Sequence, residues 1–213
     1  MNDHHKPDRR LITGTGGSGK SSEFIRLIYV DPSPSKFIFD PEQEVARKLG
    51  WPICMDLEAC AIQAAKLKPV CFDPSEYTET TEEGFDLFCG FVWNFSIRID
   101  GVKLIAADEV QDYTENSTGG IPKTFRRILQ KGRKQEINAV FVTQELGEFH
   151  NKLRKQLSHI ITFRHEDDGA LDWLKRNRFD PEAVANLKYP GGFICRNRHT
   201  GEVTTGITKR PRQ

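Results

Sequence analysis

Short apolar runs alternate along this chain with stretches in which apolar residues recur every three or four positions. A run of the first kind predicts a buried strand, and spacing of the second kind predicts an amphipathic helix. The predicted strands cover residues 11–13, 36–40, 102–107, 138–143 and 159–163. Strands that alternate with helices need crossover connections, so the pattern predicts an α/β fold with a mostly parallel central sheet flanked by helices.

The predicted helices cover residues 22–29, 42–49, 55–68, 81–99, 122–131 and 148–156. In the fourth of these, four apolar residues share one stripe and are expected in the core: Phe85, Phe88, Val92 and Phe95. The pairs Asp40-Pro41, Asp73-Pro74 and Asp180-Pro181 provide a side-chain acceptor before a proline, which is typical of a helix or turn opening.

The carboxyl-terminal part has a different pattern. Residues 192–196 and 202–205 are strand-like and are separated by a short polar loop, which predicts a β-hairpin. Residues 1–10 are polar, and residues 207–213 form a basic tail. No Gly/Ser/Pro linker divides the chain, so we expect one domain over residues 1–213.

The first predicted strand is followed by G-T-G-G-S-G-K-S, a complete phosphate-binding loop, and then by a helix. The glycines let successive backbone N–H groups turn toward phosphates, Lys20 reaches the β and γ oxygens, and the Ser21 hydroxyl ligates Mg²⁺. The motif therefore predicts a site for ATP and Mg²⁺. The residues expected to bind the nucleotide are Gly14, Thr15, Gly16, Gly17, Ser18, Gly19, Lys20, Ser21 and Ser22.

Two acids, Asp108 and Glu109, directly follow the apolar run 102–107. In a phosphate-loop enzyme the charge that develops on the γ-phosphoryl group is met by magnesium, and a water must be aimed in line. Asp108 is expected to hold the magnesium shell, and Glu109 is expected to orient or deprotonate the water. The pair favours hydrolysis over phosphoryl transfer to a small acceptor.

Gln144 closes the next strand and is expected to contact water or phosphate as a sensor of hydrolysis. Upstream of it, residues 123–134 contain six cations. A neighbouring subunit of a ring can supply an arginine to the nucleotide site. Our first candidate for that arginine is Arg133 and the second is Arg127, and a merely solvated basic face is the alternative.

Composition argues against several classes of protein. Lysine and arginine number 31 against 30 acids, so bulk charge does not indicate a nucleic-acid partner. Five cysteines without a C-x-x-C pair fit neither a disulfide framework nor a zinc site, and we expect buried thiols in a reducing cytoplasm. No apolar run approaches the length of a membrane span and no signal peptide is evident, so we expect a soluble protein without a transmembrane segment.

The order of these motifs resembles the FtsK/HerA superfamily of DNA-pumping ATPases. It is most similar to the compact genome-packaging ATPases of tailless icosahedral viruses with an internal membrane, of the tectivirus kind. The motifs that carry the resemblance are G-T-G-G-S-G-K-S at 14–21, F-I-F-D-P-E at 37–42, L-I-A-A-D-E at 104–109, G-R at 132–133 and V-T-Q-E at 142–145. The resemblance covers residues 11–206.

The resemblance implies a RecA-like fold, with Lys20 and Ser21 in the Walker A motif and Asp108 and Glu109 in Walker B. It also implies Gln144 as the sensor and Arg133 as the arginine finger. The same likeness implies a homo-hexameric ring that acts on double-stranded DNA in the host cytoplasm. It also implies that the packaging vertex or portal of a preformed capsid is a partner.

Loops at residues 113–120 and 123–134 and the basic tail are the candidate DNA contacts. Two other functions stay open from the residues alone. One is a DNA-independent NTPase or small-molecule kinase, and the other is an assembly protein that binds ATP to change shape.

Overall fold

The structure of the protein is a computed structural model, and it describes residues 7–114, 121–147, 149 and 151–208. The strands are β1 (Arg9–Thr13), β2 (Ser35–Phe39), β3 (Ile53–Cys54), β4 (Val70–Phe72), β5 (Lys103–Ala107), β6 (Ile137–Thr143), β7 (His159–Thr162), β8 (Gly192–Asn197) and β9 (Val203–Ile207). The helices are α1 (Lys20–Val30), α2 (Glu44–Leu49), α3 (Leu57–Ala65), α4 (Thr81–Ser96), α5 (Lys123–Lys131), α6 (Asn151–Arg154), α7 (Asp168–Arg176) and α8 (Pro181–Ala185).

All nine of these strands form one sheet in the order β3-β4-β2-β5-β6-β1-β7-β8-β9. The strands from β3 to β7 in this order pair in parallel, and β8 and β9 are added antiparallel at one edge. The predicted α/β fold, with a mostly parallel sheet and a carboxyl-terminal hairpin, is therefore confirmed. Because β6 lies between β1 and β5, the residue that follows β6 stands between the phosphate loop and the acidic pair.

Helices bury both faces of the sheet. On one face, α4 and α5 pack over β2, β5 and β6, where Phe85 contacts Phe39 and Phe125 edge to face with ring centroids 5.2 and 5.0 Å apart. On the other face, α1 places Phe24 and Ile28 over the central strands. Burial of such aromatic and aliphatic area is the main favourable term in folding. The predicted aromatic stripe of α4 is in the core, although Phe95 is only partly buried.

Several elements differ from the sequence-based expectation. Strands β3 and β4 are too short, with two and three residues, to show a periodicity, and they were not predicted. Helix α7 was also missed. It begins where the Asp167 carboxylate accepts a hydrogen bond from the Ala170 N–H, a cap that follows a polar stretch rather than an apolar pattern.

The helix expected over residues 148–156 is shorter than predicted. The described helix α6 has four residues, because the chain turns at Leu157 and Ser158 to enter β7. Residues 148 and 150 lie outside the described part of the chain, as do 115–120 of one candidate DNA loop, residues 1–6 and the tail residues 209–213.

Four cysteines (Cys54, Cys60, Cys71 and Cys89) are buried, as predicted, whereas Cys195 is only partly buried, and all five are free thiols. Within the described ranges, no helix is both long enough and apolar enough to cross a bilayer.

Candidate nucleotide site

The phosphate loop connects the end of β1 to the start of α1 and is tightly enclosed. A Cβ on Gly14 would lie 2.6 Å from both the Phe163 Cβ and the Ser18 Oγ, so only glycine fits there. Gly19, the residue before α1, has a φ of 115°, which favours glycine for a different reason. Glycine at these two positions allows the chain to turn tightly after β1 and to enter α1 directly.

The loop presents hydrogen-bond donors that the rest of the described chain does not use. The backbone N–H groups of Gly16, Gly17 and Gly19 donate to no acceptor among the described residues. The Ser18 hydroxyl is buried and has no hydrogen-bond partner there either. Convergent N–H groups at the amino end of a helix form an anion site, so the loop fits phosphate groups.

Lys20, the first residue of α1, is 6% exposed, and its Nζ donates a 2.9 Å hydrogen bond to the carbonyl oxygen of Thr15. Burial lowers the pKa of Lys20, and the nearby charges of Glu109 and Asp108 oppose that change. The ammonium group therefore lies within electrostatic reach of both acids. Thr15 itself is anchored, because its N–H donates to the Arg164 carbonyl at 3.0 Å.

The acidic pair follows β5. Burial, and next the repulsion from Glu109, raise the pKa of Asp108 to about 6. The Glu109 N–H donates to the Asp108 carboxylate at 2.9 Å. Glu109 itself has a φ of 42°, in the left-handed region that a non-glycine residue rarely adopts. A strained backbone at a carboxylate of this kind is common at functional sites.

The Glu109 carboxylate is held by two glutamines. The Gln144 N–H donates to Oε2 at 3.2 Å, and the Gln144 side-chain amide donates to Oε1. The Gln111 side chain donates to Oε2 at 2.8 Å. The Gln144 Oε1 also lies 3.9 Å from the position of a Cβ built on Gly16. Gln144 therefore contacts Glu109 and lies beside Gly16 of the phosphate loop, and its sensor role stays a prediction.

Beside the loop lies a cavity of about 350 Å³, which Gly17, Gly19, Lys20, Ser21 and Ser22 help to line. Ser21 and Asp108 are the predicted magnesium ligands, and an oxygen-rich pair of this kind matches the preference of Mg²⁺. The metal-ligand roles of both residues stay predictions.

The far wall of this cavity comes from a segment that the sequence analysis did not assign to the site. The Tyr189 hydroxyl donates to the Gly16 carbonyl at 3.1 Å, and the Gly191 N–H donates to the Ser18 carbonyl at 2.9 Å. Pro190 and Thr208 line the cavity beside them. The run Y-P-G-G at 189–192 indicates a turn, but nothing in the sequence indicates that this turn reaches residues 14–21.

His165 is another residue that the sequence analysis missed. It is 2% exposed, and its Nε2 lies 3.1 Å from the Thr13 hydroxyl at the end of β1. Burial, and to a smaller extent the charge of Lys20, lower the pKa of His165 to about 4. A neutral imidazole therefore supports the base of the loop at neutral pH.

The two candidate arginine fingers lie away from this site. Arg133 precedes β6, whereas Gln144 follows it, so the strand of seven residues separates them by about 20 Å. Arg127 is exposed on α5, and its guanidinium lies 5.0 Å from the centroid of the Trp93 ring. Neither arginine lines the cavity beside the phosphate loop, and the arginine-finger role of both stays a prediction.

Comparison with known proteins gives a structural match alone, because no protein-family model and no curated protein sequence matches the chain. The genome packaging NTPase B204 from Sulfolobus turreted icosahedral virus 2, solved in complex with sulfate, is similar with a TM-score of 0.76 at 16% identity. That match covers 96% of this chain and 98% of that one. B204 has also been solved in complex with AMPPCP and with ATP-gammaS.

A second structure, VirB4 of Thermoanaerobacter pseudethanolicus, is similar with a TM-score of 0.64 at 12% identity, over 95% of this chain and 90% of that one. At such identities the likeness concerns the fold. The chain therefore has the fold of the packaging NTPase B204 and of VirB4, which agrees with the fold that the resemblance of its motifs implied.

Proposed function

We propose that this protein is an ATP hydrolase that drives double-stranded DNA into a preformed viral capsid. The observation that carries the hydrolase part is the arrangement of Glu109, which two glutamines hold in place opposite Lys20. The packaging part is supported by the fold shared with B204, whose name states that activity.

Each residue of the site has a task in this reaction. The loop N–H groups and Lys20 bind the phosphates and neutralise the charge that develops on the γ-phosphoryl group. Glu109 orients the attacking water and accepts its proton, while Gln144 keeps that carboxylate at the loop. Mg²⁺, held by Ser21 and Asp108, supplies Lewis-acid polarisation of the phosphate oxygens when bound.

The assembly is proposed as a homo-hexameric ring, located at the packaging vertex of the capsid in the host cytoplasm. The position of Arg133 supports a site that is completed by a neighbour, because Arg133 lies at the edge of the sheet opposite the phosphate loop. In a ring, Arg133 of one subunit stabilises transition-state charge in the next.

The experiment is an ATPase assay over a range of protein concentrations, with and without duplex DNA. The rate per subunit is expected to rise with both, because rings assemble and DNA engages them. A rate indifferent to both would refute the motor. Arg133→Ala is expected to be inactive alone and to regain activity in mixed rings with Lys20→Ala subunits, because each variant supplies what the other lacks.

Glu109→Gln separates hydrolysis from a simple binding switch. The variant is expected to bind ATP while turnover falls by about 10²–10⁴-fold, the usual contribution of a general base. Glu58→Gln is the matched control, because this exposed glutamate of α3 lies outside the nucleotide site. If Glu109→Gln hydrolyses ATP at the wild-type rate, the hydrolytic role of Glu109 is wrong.

A further inference from the structure

A second cleft, of about 430 Å³, lies outside the nucleotide site, between the end of α7 and the turn of the β8–β9 hairpin. Its walls carry four arginines and one histidine, and the lining contains no apolar side chain. We call it the arginine cleft and define it by Arg176, Arg178, Arg196, Arg198 and His199.

The sheet register places this cleft at the opposite end of the strands from the phosphate loop. Asn197, the last residue of β8, pairs with His159, the first residue of β7. Since β7 runs parallel to β1, the turn after Asn197 lies at the amino ends of the parallel strands, whereas the loop at 14–21 lies at their carboxyl ends. Both sites can therefore be occupied at the same time.

The arginine cleft concentrates positive charge in its lining. Within the described part of the chain, none of its four arginines forms an ion pair with an acid. One interaction joins the two walls, because the Arg196 guanidinium donates to the carbonyl oxygen of Arg178 at 3.2 Å. Arg198 donates to the carbonyl oxygens of Arg154 and Leu157, which adds another cation beside the cleft.

Arg178 has a left-handed backbone conformation, which favours glycine. It has a φ of 67° and follows α7, where the Arg178 N–H bonds to the Lys175 carbonyl and the Phe179 N–H bonds to the Leu174 carbonyl. This pair of bonds defines a Schellman cap, and its left-handed residue is usually glycine. An arginine there retains a cationic side chain at the expense of backbone strain.

We infer that the arginine cleft binds the phosphodiester backbone of duplex DNA. The inference rests on the proposed packaging function, and it names a contact surface that the loops at 113–120 and 123–134 and the tail do not include. Arginine forks match phosphate oxygens, and phosphate contacts position a duplex without reading its sequence. An apolar anchor for a peptide is absent from the lining.

The test measures fluorescence anisotropy of a labelled short duplex of mixed sequence at several salt concentrations. Arg178→Gly is expected to weaken binding several-fold at low salt and to reduce the slope of log affinity against log salt by about one. Its thermal midpoint is expected to stay equal or to rise, since glycine relieves the left-handed strain. Arg196→Gln, without a strained backbone, is expected to give the same loss of affinity.

The control is Lys66→Gln on the C-cap of α3, an exposed cation far along the sheet from the cleft, and it is expected to bind like wild type. If wild type binds no duplex at any salt concentration, both the packaging function and this cleft assignment fail. If wild type binds but both arginine variants keep its affinity and slope, only the cleft assignment fails. Displacement of the duplex by polyglutamate or pyrophosphate at equal charge would instead indicate an acidic-protein or free-anion site and would overturn the inference.

Discussion

Replacing Asp108 by asparagine is expected to stabilise the fold at neutral pH although it removes a predicted magnesium ligand. In the folded protein, burial and repulsion from Glu109 raise the pKa of Asp108 from 3.8 to about 6. Ionising that carboxyl in the fold is therefore harder than ionising it in the unfolded chain. Asparagine keeps the size and the Oδ1 acceptor for the Glu109 N–H but carries no charge.

The magnitude follows from linkage between protonation and folding. Between pH 3.8 and about 6, the folded state binds more protons at Asp108 than the unfolded state does. The free energy of unfolding therefore falls as the pH rises through this range. A difference of about two pKa units corresponds to about 3 kcal/mol. The free energy of unfolding of Asp108→Asn is expected to exceed that of wild type by up to this amount above pH 6, and by almost nothing below pH 4.

Urea unfolding of wild type and variant across this pH range measures the difference directly. Asp172→Asn, an exposed residue of α7, is the matched control and is expected to shift stability little at either end. In an assay with Mg²⁺ and ATP, the nucleotide is expected to raise the thermal midpoint of wild type more than that of Asp108→Asn. A stability difference that does not change with pH would refute the reasoning.

Two further predictions concern residues that only the tertiary structure placed at the site. Tyr189→Phe removes the hydrogen bond to the Gly16 carbonyl and is expected to weaken ATP binding by about 0.5–1.5 kcal/mol in titration calorimetry; wild-type affinity would contradict this. Because the fold lowers the pKa of His165 from 6.5 to about 4, the free energy of unfolding falls as the pH drops through that range. The His165→Gln variant is expected to lose about 3 kcal/mol of this pH dependence, measured by urea unfolding. An unchanged pH profile would show that His165 is not the group involved.

The candidate residues of the nucleotide site could be proposed from the sequence because each follows a local pattern. The loop at 14–21 carries its own spacing, and Asp108, Glu109 and Gln144 each follow directly after an apolar strand. In a parallel sheet the carboxyl ends of strands meet at one end of the sheet, so a position after a strand predicts a side chain at the same end as the loop.

Other residues of the site could not be predicted in this way. Tyr189 reaches Gly16 across 173 positions of the chain, and His165 reaches Thr13 across 152. Neither contact leaves a periodicity or spacing in the sequence. Strands β3 and β4 were missed for a related reason, since their few residues are held by pairing with β2 and with each other rather than by their own pattern.

The sequence by itself determined the class of fold, the phosphate loop and the identity of the acidic pair, because these depend on interactions among residues close in the chain. The tertiary structure alone decided that β6 separates β1 from β5, that Gln144 therefore contacts Glu109, and that Arg133 lies at the opposite edge of the sheet. It also brought the end of α7 and the β8–β9 turn together into the arginine cleft. Strand order and long-range packing are properties of the whole chain, because they depend on which arrangement buries the most apolar surface with all backbone groups paired.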